Sequence, residues 1–338
     1  MTGKDVGQDI VLARLDFLDA LRAISALLVM LWHFTNGNNV FKLNEPSLLV
    51  LIGSIGWVGV DIFFIISGFI IPYVLWKSNY QIGSGFFHFL ARRAVRLYPP
   101  YFLAGGVAVG MNYVSFFLGG QSAHVSLISD VLCNLLLTCD LFGGTWFNPV
   151  FWSLAVEVQY YIVAGLAFPL LLRLARLRVL LYCLVLGSAL SGQGLNLMRW
   201  PSLFLLGFAL FLFKNSLMGR REFRFACAAL LSAQLVAFDP RVFLAGLFAM
   251  FFIVSSGVGW KPVLSLGSFS YSIYLVHVPL GTRVINFAVR LDISGMLCVV
   301  VIVLAALVSL AFARVFFECI EAPSIKMSRF IKQSRVGT

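Results

Sequence analysis

Apolar segments of helical length recur along almost the whole chain, and this pattern restricts the chain to a membrane-embedded fold. We count ten such segments, at 17–35, 48–75, 98–118, 150–172, 179–192, 200–214, 225–238, 242–257, 265–281 and 294–318. Of the 338 residues 60% are hydrophobic and 12% are charged, which is more apolar surface than a soluble protein of this size buries. The sequence therefore predicts an all-α polytopic membrane protein. One integral-membrane domain would cover 1–338, with a polar N-terminal segment at 1–16 and a basic tail at 322–338.

Basic residues are distributed unequally over the connections between these segments. With the N-terminus inside, 19 lysines and arginines fall in cytoplasmic segments, 5 fall outside, and Arg314 lies within the last span. Because basic loops stay in the cytoplasm, this bias predicts that both termini are cytoplasmic. The net charge of +11 then reflects these loops, and we expect no nucleic-acid partner.

The segment at 125–142 tests this topology because it is apolar yet contains Asp130, Asn134 and Asp140. If it crossed the bilayer, the basic residues at 173–178 and 220–224 would move to the outside. We therefore predict a re-entrant or interfacial helix on the outer face.

The sequence provides no support for metal or ATP chemistry. It contains no HExxH, no CxxC and no Walker-type glycine loop. The cysteines are scattered through apolar segments, so we expect small core residues and no disulfide framework. They stand at 133, 139, 183, 227, 298 and 319.

The first apolar segment, LDALRAISALLVMLWHF, carries ionisable residues where lipid would favour none. Arg22 and His33 are separated by three helical turns, so they share one stripe about 16 Å apart along the axis. Asp19 joins this stripe one turn earlier. The predicted topology puts Arg22 at the cytoplasmic end and His33 in the outer half. Since such groups usually face a protein interior and serve function, we predict that His33 is chemically active.

The second segment contains GVDIFFIISGFII, with Asp61 on the same helical stripe as Gly68. A buried carboxylate needs a cation or hydrogen-bond donors, and Arg22 and His33 are the candidate partners. Ser67 and Gly68 either permit close helix packing or contact a cofactor, and both alternatives stay open.

The basic element ARRAVRLYPPY at 91–101 precedes the third span. Its guanidinium groups suit bidentate phosphate binding, although charge alone fits topogenic loops and lipid contact better. The residues concerned are Arg92, Arg93 and Arg96, and Pro99 and Pro100 are expected to set a rigid bend there.

The fourth span opens with NPVFWSLAVEVQYYI, in which Ser153, Glu157 and Tyr160 or Tyr161 share one helical face. Trp152 suits the membrane interface. Glu157 either orients or charge-balances a catalytic histidine, or forms an ion pair within the bundle.

The ninth span contains LGSFSYSIYLVHVPL, in which Ser270, Tyr274 and His277 share a face. His277 lies in the predicted outer half. It is either a hydrogen-bonded packing residue or part of the site.

Five ordered blocks in this chain resemble the membrane acyltransferase 3 family of bacterial O-acyltransferases. These are LDALRAISALLVMLWH, GVDIFFIISGF, RRAVRLYPPY, FWSLAVEVQYY, and LGSFSYSIYLVH followed by IEAP at 320–323. The resemblance implies ten membrane helices in the bacterial inner membrane. It implies acetyl-CoA or another acyl-CoA as a cytoplasmic co-substrate, no permanently bound cofactor, and a glycan acceptor. It also implies the short form without a fused hydrolase-like domain, similar to exopolysaccharide and Nod-factor acetyltransferases.

The resemblance also implies roles for individual residues. It makes His33, spaced from Arg22 as in the family's first-helix motif, the candidate catalytic residue, suggests that Arg92, Arg93 and Arg96 hold the CoA phosphates, and maps the family's glutamate to Glu157. The residue patterns add to this: Asp61 or Glu157 would hold the tautomer of His33, Arg22, Ser67 and Gly68 would lie on the donor side, and the acceptor side would comprise Trp152, Ser153, Tyr274 and His277. One departure is Glu318, which stands three places before Glu321 where the family often has a basic residue.

The hypothesis is therefore O-acyl transfer from acyl-CoA to a glycan hydroxyl, with His33 as general base or transient acyl carrier. The alternative is a transporter or flippase in which His33, Asp61, Glu157 and His277 line a proton or substrate path.

Overall fold

The computed structural model describes residues 15–36, 48–117, 128–191, 200–237, 239–255, 261–291 and 293–331, and no strand occurs within these ranges. The helices are α1 (Asp16–Thr35), α2 (Leu48–Ile55), α3 (Gly59–Lys77), α4 (Ser84–Phe117), α5 (Ile128–Leu136), α6 (Cys139–Phe142), α7 (Phe151–Arg173), α8 (Ala175–Leu190), α9 (Pro201–Lys214), α10 (Arg220–Ala237), α11 (Pro240–Ser255), α12 (Lys261–Ser268), α13 (Ser270–Arg290), α14 (Met296–Phe316) and α15 (Ala322–Phe330). The ends of the predicted N-terminal segment and basic tail, at 1–14 and 332–338, lie outside the described residues.

Long apolar helices confirm the all-helical membrane class. Five stretches of the described chain are long and apolar enough to cross a membrane: Asp16–Thr35, Leu48–Lys77, Phe151–Arg173, Ser270–Arg290 and Met296–Phe330. Two shorter apolar helices, α9 and α11, accompany them. The total of ten spans and the cytoplasmic side of both termini stay predictions.

Helix α4 differs from the predicted third span, which was expected to begin at 98 after a bend. A single helix runs from Ser84 to Phe117 and includes Pro99 and Pro100. Each proline removes one backbone hydrogen bond, which weakens a helix locally without ending it when neighbouring helices support both sides. The arginine cluster is therefore helical, and the spacing of three residues puts Arg93 and Arg96 on one face.

Helices α3 and α9 cross at backbone contact through two glycines. A Cβ on Gly68 would meet the backbone of Phe204, and a Cβ on Gly207 would meet the carbonyl of Ile65. Small residues at such crossings allow the close approach by which membrane helices pack. The structure thus supports the packing alternative for Gly68, because α9 backbone occupies the space that a cofactor contact would need.

Substitution of Gly68 by valine is expected to lower the thermal stability of the detergent-solubilised protein. The added atoms must push α3 and α9 apart, and overpacking of this kind costs about 1–3 kcal/mol. The matched control is Gly106→Ala in α4, where an added Cβ meets nothing within 4 Å. Unfolding followed by intrinsic fluorescence should show a lower Tm for Gly68→Val only, and equal Tm values would contradict the backbone contact.

A disulfide between Cys133 and Cys139 joins α5 to α6. The expectation that the cysteines are unpaired core residues was therefore wrong for this pair. The turn at Leu137 adopts a positive φ of 55° and brings the two cysteines together, a geometry that spacing alone does not reveal. Helix α5 has 9 residues and spans about 14 Å, too short to cross the roughly 30 Å hydrocarbon core. Since disulfides form in oxidising compartments, the pair is consistent with the predicted outer location of 125–142.

The segment after α6 is held to the disulfide-bonded turn by the side chain of Asn134. Its amide nitrogen donates to the carbonyl of Thr145 at 2.8 Å, and its amide oxygen accepts from the backbone N–H of Phe147 at 3.0 Å. The following Asn148 donates to the carbonyl of Leu275 in α13 at 2.8 Å. These contacts set the position in which α7 begins beside α13.

Candidate functional site

A cavity of about 260 Å³ lies between α1, α3, α4, α7 and α13. Its described charged lining consists of three guanidinium groups and two carboxylates: Arg22, Arg93, Arg96, Asp19 and Glu157. The remaining walls are mainly apolar and aromatic. An excess of positive charge in a low-dielectric cavity favours an anionic ligand.

The predicted arginine cluster is divided by the helical geometry of α4. Arg93 and Arg96 line the cavity beside Arg22 of α1. Arg92 is exposed on another face, and its Nε donates to the carbonyl of Ser328 in α15 at 3.2 Å. Three of the four arginines assigned to the donor side thus meet at one cavity, and Arg92 instead binds α15.

Glu157 and Ser67 are hydrogen-bonded across the cavity wall. The Ser67 hydroxyl donates to Glu157 Oε1 at 2.7 Å, which connects α3 to α7. Of the two tyrosines left open by the helical pattern, Tyr161 lines the cavity and Tyr160 stacks on Phe204 at 4.1 Å between ring centroids. The Tyr161 ring also faces the Arg93 guanidinium at 5.5 Å. Glu157 therefore belongs to the arginine-lined cavity.

Ser153 and Tyr274 form the end of the cavity nearest the histidines. Their hydroxyl oxygens are 2.6 Å apart, and the carbonyl of Val150 lies within hydrogen-bonding distance of both. The Tyr274 ring contacts the His277 ring, with 6.0 Å between centroids. Tyr274 thus connects the lining of the cavity to His277.

His33 and His277 are in direct contact, although they are far apart in sequence. His33 Nδ1 lies 3.2 Å from His277 Nε2, and the ring centroids are 4.9 Å apart. His33 is partly exposed at the end of α1, and His277 is fully buried in α13. Sequence reasoning put both residues in the outer half of the membrane, but it did not predict that they pair.

Asp61 and Trp152, like Arg92, Gly68 and the two histidines, are not part of the described lining of the cavity. Asp61 is 1% exposed in the first turn of α3. Trp152 packs on Trp200 and Phe64, with ring centroids 5.4 and 6.3 Å apart. This packing indicates a structural position for Trp152 beside α9.

Sequence reasoning missed Glu321 as a buried polar anchor. This carboxylate is 1% exposed and accepts hydrogen bonds from the Ser272 hydroxyl at 2.6 Å and the Ser272 N–H at 3.1 Å. It joins the π-helical turn Phe317–Glu321 to α13. The available signal was an acidic residue at the end of an apolar helix, in the IEAP element.

Several curated proteins are similar to this chain in sequence. The acyltransferase MdmB of Streptomyces mycarofaciens is 30% identical over 48% of this chain and 40% of that protein. The O-acetyltransferase OatA of Staphylococcus aureus is 24% identical over 90% of this chain and 56% of that protein. The peptidoglycan O-acetyltransferase OatA of Listeria monocytogenes is 25% identical over 43% and 23%.

The chain spans about half the length, or less, of these curated relatives. No solved structure matches it. The sequence model of a family described as an acyltransferase domain matches residues 15–315, and the chain therefore belongs to this acyltransferase family.

Proposed function

We propose that this protein is a membrane O-acyltransferase that moves an acetyl group from acetyl-CoA to a hydroxyl of an envelope or secreted glycan. The observation that carries the proposal is the juxtaposition of a histidine pair and a cavity lined by three arginines. Tyr274 contacts His277 on one side and lines that cavity on the other. The names of the relatives, among them a peptidoglycan O-acetyltransferase, support acyl transfer and a glycan acceptor.

The arginine-lined cavity suits the donor. Coenzyme A carries several phosphate groups, and guanidinium forks bind phosphate oxygens bidentately. Arg22, Arg93 and Arg96 would hold these groups, while Glu157 and Ser67 form a hydrogen-bonded polar pair in the same lining. With the predicted topology, the donor enters from the cytoplasm of a bacterial cell at the inner membrane, and the acceptor approaches His33 from outside.

The histidine supplies the proton transfer that acyl transfer requires. The acceptor hydroxyl oxygen forms a bond to the thioester carbonyl carbon, the carbon–sulfur bond breaks, and the hydroxyl proton passes to His33. The protonated imidazole then returns a proton to the departing sulfur, so coenzyme A leaves as the free thiol. In the covalent variant, a nitrogen of the His33 imidazole first bonds to the acetyl carbon as the carbon–sulfur bond breaks and coenzyme A leaves as the thiol. The hydroxyl oxygen then bonds to that carbon, the carbon–nitrogen bond breaks, and the hydroxyl proton returns to the imidazole. Neither route consumes ATP, because the thioester is already activated.

The test is a transfer assay with the purified protein in lipid nanodiscs, acetyl-CoA, and a panel of oligosaccharides that includes peptidoglycan fragments. We expect thiol release that depends on the acceptor and is matched by O-acetyl ester on the glycan, measured by mass spectrometry. A transporter would release no thiol with any acceptor. In the producing organism, deletion should remove O-acetyl groups from one surface glycan, and an unchanged glycan profile would contradict the proposal.

A further inference from the structure

The hydrogen bonds around the two histidines determine where their protons lie. His33 Nδ1 is 2.9 Å from the carbonyl oxygen of Val29, and His277 Nδ1 is 3.0 Å from that of Ile273. A carbonyl oxygen only accepts hydrogen bonds, so each Nδ1 must carry a proton. A neutral imidazole has one N–H, which leaves the lone pair on Nε2 of both rings.

We infer that His277 is a positioning residue that holds His33 in the tautomer whose Nε2 lone pair is available for reaction. This inference rests on the proposed function. His277 Nε2 lies 3.2 Å from His33 Nδ1, so it accepts a share of the same N–H that points to Val29. The proton of His33 is thereby held on Nδ1, and its Nε2, at the other side of the ring, keeps the lone pair.

The opposite arrangement is disfavoured by the same contacts. If His277 Nε2 donated to His33 Nδ1, both Nδ1 lone pairs would face carbonyl oxygens at 2.9 and 3.0 Å. Each of these contacts would be a repulsion between two acceptors, and at the fully buried His277 no water could relieve it. Both hydrogen bonds to the carbonyl oxygens would be lost, which is destabilising for groups with little access to water.

Burial divides the roles of the two rings. His277 is fully buried, enclosed by the rings of Phe34 and Tyr274 with centroids 6.2 and 6.0 Å away, whereas His33 is partly exposed. Only His33 can meet an acceptor hydroxyl, and the atom it presents is Nε2. A neutral ring thus performs the orienting task for which many hydrolases use a carboxylate, and no carboxylate has to be placed beside His33 for that task. This role differs from the acceptor-binding role that the sequence suggested for His277.

The first experiment compares His277→Gln with His277→Asn in the transfer assay. Glutamine Oε1 reaches the position of Nε2 and can accept the His33 N–H, whereas asparagine is too short. We expect His277→Asn to lower kcat at least about tenfold, with KM for acetyl-CoA within about twofold of wild type, and His277→Gln to stay within about threefold. Thr282→Val, which removes only a hydroxyl bonded within α13, is the packing control and should retain wild-type kcat.

The second measurement uses the wild-type protein, so it requires neither enzymatic activity nor the correct folding of a variant. The 15N chemical shifts of histidine-labelled wild-type protein identify which ring nitrogen carries the proton, and the chain has only 4 histidines. We expect His33 and His277 both to be protonated at Nδ1. A proton on Nε2 of either ring, or equal loss of kcat in the two His277 variants at unchanged Tm, would overturn the inference. Failure of the proposed function is distinct, because wild-type protein would then release no thiol whatever the tautomers are.

Discussion

Replacement of His33 by alanine is expected to lower kcat for acetyl transfer by about 10³-fold or more, while KM for acetyl-CoA changes little. General base catalysis contributes about 10²–10⁴-fold, and the variant also loses any acyl-imidazole intermediate. The arginine-lined cavity is intact in the variant, so donor binding should be retained. The measurements are the acceptor-dependent release of thiol and the formation of O-acetyl ester on the glycan.

The control for this prediction is His88→Ala, which removes a partly exposed histidine of α4 that does not line the cavity. Its kcat should equal that of the wild type. Both proteins should elute as the same species and unfold at similar temperatures, since the His33 ring is partly exposed and its loss creates little buried space. Transfer at the wild-type rate by folded His33→Ala would remove the histidine pair from the mechanism.

Loss of a cavity arginine is expected to raise KM for acetyl-CoA without a comparable change in kcat. Arg93→Gln and Arg96→Gln each remove one charge-assisted hydrogen-bonding group, worth roughly 1.5–3 kcal/mol, which corresponds to about a 10- to 150-fold rise in KM. The matched control is Arg92→Gln, next in sequence to Arg93. Its guanidinium binds the carbonyl of Ser328 and lies away from the cavity, so we expect at most about a twofold change in KM.

The comparison among these arginines distinguishes a defined phosphate site from general attraction between a basic surface and an anionic donor. A site would show different KM values for Arg93→Gln and Arg92→Gln at the same ionic strength. General attraction would give equal effects, and these would fall in parallel as salt is added. Equal KM values for all three variants would contradict the assignment of the cavity to the donor.

The fold class was predictable because lipid imposes one strong requirement on a spanning chain. In the hydrocarbon of the bilayer, backbone N–H and C=O groups must form hydrogen bonds within their own segment, so long apolar runs become helices. The helices Asp16–Thr35 and Phe151–Arg173 accordingly match the predicted spans at 17–35 and 150–172 within about two residues. The break at Phe269 between α12 and α13 and the continuation of α4 through two prolines were not predicted, because neighbouring helices decide them.

The candidate site was predictable in its residue types and only partly in its arrangement. Ionisable residues in apolar helices are costly, and this cost identified His33, Arg22 and Glu157 as functional candidates from the sequence alone. Helical periodicity also put Ser153 and Glu157 on one face, and both line the cavity. The expectation that Glu157 or Asp61 orients His33 stays a prediction. In the structure the His33 ring contacts His277, and Glu157 accepts a hydrogen bond from Ser67.

By itself, the sequence determined that this chain is a helical membrane protein with arginines and histidines in its spans. Amino-acid composition and the spacing of apolar and charged residues are properties of the linear chain and need no tertiary contact. The tertiary structure alone decided which of these residues meet. His33 and His277 are 244 positions apart, and Arg93 reaches the cavity while Arg92 does not, because contact depends on how each helix is rotated against the others. That rotation is set by packing such as the backbone contact of Gly68 with Phe204, and a linear pattern does not encode it.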